Sequence, residues 1–181
     1  ELTEEEIIQY EFLSKKIGIL INMGEDPDEN ENLLKLLIKR SELLQKAENK
    51  IPRIIDLVDN ISELNHALFY CAPHQIDELT QILGIEKHIR IHRFTYREDH
   101  YLRNQLLHNF DIGILQALSA IKCLDEGVDV PSTRTAFFLS SSSNPREFVQ
   151  RRGRILRKYP GKKSAEIYDL IVAPPSSIIV N

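Results

Sequence analysis

The chain has 181 residues, 42% hydrophobic and 28% charged, with a formal net charge of −4. That composition belongs to a folded domain and not to a disordered segment; no run of about 18–20 uncharged apolar residues is present to span a membrane, and no basic stretch leads into an apolar core as in a signal peptide. Two cysteines, Cys71 and Cys123, cannot build a disulfide framework, and both sit in apolar runs, as reduced thiols of a cytoplasmic protein do.

In chain order, the first sixty residues predict helix. The chain opens at Glu1 with Met23 as its one methionine, which suggests an excised fragment. Thr3-Glu4-Glu5-Glu6 is a capping box with acids in the first turn. Ile7, Ile8, Tyr10, Phe12, Leu13, Ile17, Leu20 and Ile21 then recur at near-helical spacing, until Gly24 to Pro27 breaks the run. A second helix is predicted from Asp28, with Leu33, Leu34, Leu37, Ile38, Leu43, Leu44 and Ala47 as its apolar stripe. Pro52 kinks or restarts it, and it continues to Asn60. The two form a helical hairpin; an interaction arm is the competing reading, but the heptads are not sustained.

After residue 64 the period changes. Ala67 to Cys71 is a short apolar run, as in a strand buried on both faces. Pro73 and Asp77 lead into a helix ending at Gly84. Further strands are predicted over 88–94, 113–118, 135–140 and 165–172, and helices over 98–110 and from Asn144-Pro145-Arg146-Glu147, which has a capping residue, Pro and Glu in the favoured order. Strands alternating with helices imply right-handed crossovers and a mostly parallel sheet, an α/β fold.

Charge is divided along the chain. Residues 1–64 hold 15 acidic and 8 basic side chains, a net of −7, while residues 65–181 hold 12 and 15, a net of +3. Eight of the basic residues lie between Arg146 and Lys163 with one acid, Glu147, among them, which marks a phosphate-facing part. Within it, Gln150-Arg151-Arg152-Gly153-Arg154-Ile155-Leu156-Arg157 reads Q-R-x-G-R-x-x-R. Arginine offers a planar fork of donors and stays charged, which suits phosphate oxygens. Arg154 and Arg157, three apart, can point from one helical face. The plain alternative is a surface arginine helix paired with carboxylates.

About twenty residues upstream stands Ala120-Ile121-Lys122-Cys123-Leu124-Asp125-Glu126-Gly127-Val128-Asp129-Val130-Pro131. Together the two segments resemble motifs V and VI of superfamily 2 helicases. The resemblance is greatest to the second RecA-like domain of the nucleotide-excision-repair helicases and of type III restriction enzyme Res subunits. Ala67 to Leu79 occupies the place of motif IV. Phe94-Thr95, Arg103 and Phe110 resemble the intervening motif, and Gly161-Lys162-Lys163 with Ala165 to Asp169 resembles the usual end of the domain. The resemblance implies a RecA-like parallel sheet over residues 63–181. It also implies that residues 1–62 are a helical hairpin from the region joining two motor domains.

The same resemblance implies roles. Gln150 faces the terminal phosphate or the attacking water, and Arg154 and Arg157 are arginine fingers, which stabilise charge on a phosphoryl group in flight. Asp129 contacts the nucleotide ribose, Gly127 permits close backbone approach, and Arg151 ties motif VI to the partner domain beside the nucleotide. Ala72, Pro73, His74, Thr95 and Lys122 grip a nucleic-acid backbone. Ser119 is the nearest hydroxyl to the place where many helicases use one in motif V.

No G-x-x-x-x-G-K-[ST] occurs, and Gly161-Lys162-Lys163-Ser164 lacks both the upstream glycine and the required order. The P-loop lysine, the Mg²⁺ ligands and the catalytic base are therefore expected on an N-terminal motor domain, so that this stretch alone does not hydrolyse ATP. His88 and His92 have H-x₃-H spacing but no fourth ligand, so no metal site is expected. His100, Tyr101 and Tyr96 serve packing and capping before base stacking. The expectation is half of an ATP-driven DNA helicase or translocase that binds DNA through its backbone and works with that motor domain and, in some relatives, a nuclease. An RNA-activated ATPase of the same superfamily and a non-catalytic interaction module are the alternatives.

Overall fold

The computed structural model describes residues 1–121, 129–140 and 145–173, with residues 145, 147 and 148 as backbone only. The chain divides into two compact units. One is Glu1–Lys50 with the stretch that begins at Val172, and the other is Ile51–Ile171.

The first unit is built on α1 (Glu4–Asn22) and α2 (Glu31–Lys46). The capping box forms as read: Thr3 Oγ1 accepts the Glu6 amide at 3.3 Å and Glu6 Oε2 accepts the Thr3 amide at 2.8 Å. Gly24, at φ +84, ends α1 as a left-handed cap. Its amide donates to Ile21 O and that of Glu25 to Leu20 O, which satisfies two carbonyls of the last turn. The second helix starts at Glu31 and not at Asp28. Asp26 draws the intervening residues into a turn, its Oδ1 accepting the Asp28 amide at 2.9 Å, and Asn30 caps α2 through the Leu33 amide at 2.9 Å. The helices run antiparallel, because the start of α1 meets the end of α2: Glu6 Oε1 accepts the Glu48 amide at 2.9 Å and Asn49 Nδ2 donates to Glu1 O at 3.0 Å. Leu2, Tyr10 and Ala47 are buried between them.

The second unit begins within α3 (Lys50–Asp59), at Ile51. Pro52 lies in its first turn, where a missing amide costs nothing. Ile51, Ile54 and Val58 face the core of the sheet unit, so the compact sheet unit starts about a helix before residue 62. Five strands follow: β1 (Ala67–Tyr70), β2 (Ile91–Phe94), β3 (Ala117–Ala120), β4 (Thr135–Phe138) and β5 (Glu166–Asp169). They lie in the order β2-β3-β1-β4-β5 and every pairing is parallel. Between them stand α4 (Ile76–Gln81), which runs on into a π-helical turn over Ile82–Glu86, α5 (His100–Asp111) and α6 (Pro145–Ile155).

Two strands start later than the alternation predicts. The π turn consumes residues to Glu86 and His88 adopts φ +55, so β2 opens at Ile91. Gly113 takes φ +78 after α5 and Leu115 is tied back to Asn109 O, so β3 opens at Ala117. Parallel strands are covered on both faces. Ala67, Phe69, Ala117 and Phe137 pack with α3 and α4 on one side; Leu68, Tyr70, Leu118, Ala136 and Phe138 pack with Leu106 and Phe110 of α5 and Ile155 of α6 on the other. Stacked pairs Phe69–Phe137 and Tyr70–Phe138, at 4.6 and 4.5 Å between centroids, join neighbouring strands.

Candidate nucleotide and nucleic-acid sites

In an open parallel sheet, ligands gather beyond the carboxyl ends of the strands, where the winding direction reverses. Here the chain leaves β1 toward β2 on one side and leaves β4 toward β5 on the other, so the reversal lies between β1 and β4. Their last residues, Tyr70 and Phe138, stand side by side there, and α6 sits over them. The Arg151 guanidinium lies 5.7 Å from the Tyr70 ring and that of Arg152 lies 6.0 Å from the Phe138 ring. Arg152 also pairs with Asp169 at the end of β5, at 2.6 Å.

Helical periodicity sorts the rest of α6. Arg151 and Ile155, four apart, are both buried, at 4% and 1% exposure, and form the inward face. Gln150 and Gly153 fall on the exposed side, while Arg154 lies at its edge and is half-buried. A Cβ at Gly153 would meet nothing within 4 Å, so none of the described residues demands a glycine there. Arg157 leaves just after the helix on the same side and donates to Asp129 Oδ2. Of the residues read as nucleotide-facing, Arg157 and Asp129 are brought together, Gln150 and Arg154 stand on the preceding turns of α6, and Arg151 turns inward against Tyr70. Gly127 and Lys122 lie outside the described residues.

A second concavity, of about 230 Å³, opens beyond the ends of β1 and β2. Pro73 and Thr95 line it. Ala72 is buried and His74 exposed beside it. Thr95 ends its strand in a tight cap: its amide and hydroxyl both donate to Glu98 Oε2, at 2.5 and 2.7 Å. Burial acts to raise the Glu98 pKa, but these hydrogen bonds and the His92 charge outweigh it, and the carboxyl stays below its ordinary value. Ser119 lies elsewhere. Its side chain is fully buried in β3 and its hydroxyl bonds Thr80 Oγ1 of α4 at 2.6 Å. The groove adds two cations that were not read from the sequence, Arg93, paired with Asp77, and Arg97, and Tyr96 is also part of its lining. The Thr95-Tyr96-Arg97 run directly after a strand was the available signal.

Among the described residues, no group of three or more His, Cys, Asp or Glu side chains could hold a metal ion, and no helix is long and apolar enough to cross a membrane.

Residues 49–159 match the family described as the helicase conserved C-terminal domain. The chain is 30% identical over 168 residues to the DNA 3'-5' translocase XPB2 of Sulfurisphaera tokodaii, covering 87% of this chain and 38% of that protein. Among solved structures it resembles the Sulfolobus solfataricus SWI2/SNF2 ATPase core in complex with dsDNA, with a TM-score of 0.72 at 13% identity over 94% of this chain and 39% of that one. It also resembles the C-terminal domain of the DEAD-box protein Dbp5, with a TM-score of 0.59 at 16% identity over 72% and 74%. The fold is RecA-like.

Proposed function

The chain belongs to the helicase conserved C-terminal domain family, within superfamily 2, and from that premise we propose that it is the second motor domain of an ATP-dependent DNA translocase. α6 and the turn after it supply the nucleotide-facing groups, and the single observation that supports this best is the meeting of Arg157 with Asp129, just past the helix that carries Gln150 and Arg154. Eight basic residues against one acid over 146–163 suit a polyphosphate. Mg²⁺ ligands are assigned to an N-terminal P-loop domain.

When bound, the triphosphate supplies the phosphoryl group whose transfer drives stepping. Arg154 and Arg157 would hold charge on its terminal phosphate, Gln150 would orient water or phosphate, and Asp129 would hold the ribose. Arg157 is parked on Asp129 by an exposed ion pair, which a phosphate can replace at little cost. The bare face of Gly153 suits close approach by another body. The DNA backbone is assigned to the groove at Ala72, Pro73, His74 and Thr95, with Arg93 and Arg97 adding charge. Ser119, committed to Thr80, is left out of that surface.

The test is DNA-stimulated ATPase activity of the full-length parent protein. Arg154→Ala and Arg157→Ala are each expected to lower kcat by about a thousandfold, with nucleotide affinity largely kept. Wild-type turnover in a folded double variant would remove the motor reading.

A further inference from the structure

The Gly161-Lys162-Lys163-Ser164 segment is no phosphate loop, and Lys162 has a different set of partners. After α6 the chain turns back: Gly161 takes φ +74 and the Lys162 amide donates to Tyr159 O at 3.0 Å. This carries the partly buried Lys162 ammonium under the helix end. There Nζ donates to Pro131 O at 2.9 Å, to Arg157 O at 3.3 Å and to Ile155 O.

An ammonium has three donors, and all three meet backbone carbonyls. Ile155 O ends α6 and Arg157 O lies two residues past it, at the helix end where carbonyls lack helical partners and the dipole favours a cation. One of the two is the carbonyl of Arg157 itself. The third lies two residues past Asp129, the side-chain partner of Arg157. One cation therefore spans both segments that face the nucleotide. Burial lowers the Lys162 pKa, Asp129 raises it in part, and Arg134 lowers it again. A cation kept at such a place at the cost of burial has a positional role.

We propose that Lys162 is a positioning residue for the reaction: its ammonium locks the backbone at Pro131 to that at Ile155 and Arg157, and so sets where Asp129 and Arg157 present their side chains. This rests on the reading of Arg157 as a group that acts on the triphosphate. A cap that served stability alone would leave the chemical step untouched.

In the full-length parent, Lys162→Met is expected to lower kcat about 10–100-fold, the size of effect that a small misplacement of a catalytic group produces. The KM for ATP is expected to stay within about threefold, because ground-state binding is kept. In an Arg157→Ala background the same change is expected to lower kcat by less than about twofold, since residues that act as one unit are not additive. On this chain, amide exchange at Thr133, Leu156 and Arg157 is expected to quicken in Lys162→Met while β1 and β3 keep their wild-type rates. Wild-type kcat in Lys162→Met, losses that multiply in full with those of Arg157→Ala, or quickened exchange across β1 and β3 would each overturn the positioning role. Wild-type turnover in Arg157→Ala would overturn it for a separate and recognisable reason, the failure of the finger reading beneath it.

Discussion

Arg157 Nη1 donates to Asp129 Oδ2, joining side chains 28 residues apart. The side chains are 55% and 36% exposed, so water and salt screen the pair, and such pairs contribute only about 0–1 kcal/mol. Asp129→Ala is therefore expected to change unfolding stability by less than about 1 kcal/mol in a urea titration. A larger loss would mean that the pair holds the fold and not merely the finger.

Arg152 and Asp169 form the contrasting pair. They meet at 2.6 Å with side chains only 29% and 12% exposed, and they tie α6 to β5. A hydrogen bond between charged groups contributes about 1.5–3 kcal/mol, and loss of one partner leaves the other poorly solvated. Arg152→Ala is expected to cost about 2 kcal/mol in the same titration, clearly more than Asp129→Ala. Equal effects would contradict this ordering.

Glu98 gives a pH dependence. Burial pushes its carboxyl up, but the bonds from the Thr95 hydroxyl and amide, with the His92 charge, leave the folded pKa below the ordinary 4.5. A carboxyl lowered in the folded state stabilises it above the unfolded pKa and ceases to as pH falls through the folded one. Glu98→Gln is thus expected to be less stable than wild type at neutral pH, with the gap closing on acidification. A carbon-detected NMR titration of Glu98 is expected to give a midpoint below 4.5; a midpoint above it would reverse the sign.

Arg97 lines the groove assigned to the DNA backbone. Arg97→Ala in the full-length parent is expected to weaken DNA binding evenly across sequences and to reduce the slope of log K against log salt by about 1. An unchanged slope in a fluorescence-anisotropy series would move the DNA path elsewhere.

Helix and strand order were legible because each rests on local periodicity. The Thr3–Glu6 box, the stop at Gly24 and the buried run at Ala67 all formed where the residues demand them. The boundaries that shifted did so through local hydrogen bonds with no hydropathy signal: the Asp26 turn before α2 and the Gly113 turn before β3. The attachment of α3 to the sheet was also illegible, since Ile51, Ile54 and Val58 make an amphipathic stripe whichever body they cover.

By itself the sequence determined the element order, the parallel α/β class and the cationic character of the basic segment, because spacing and side-chain type are properties of a short stretch of chain. Side-chain type alone does not tell the four arginines of that segment apart; the family resemblance assigned roles to three of them. The tertiary structure separates their partners: Arg151 against Tyr70, Arg152 on Asp169 and Arg157 on Asp129. It also committed Ser119 to Thr80 and placed Lys162 on three carbonyls. The physical reason is that a donor's partner is whichever acceptor the crossing chain brings within about 3 Å, and that distance is set by strands and helices remote in sequence.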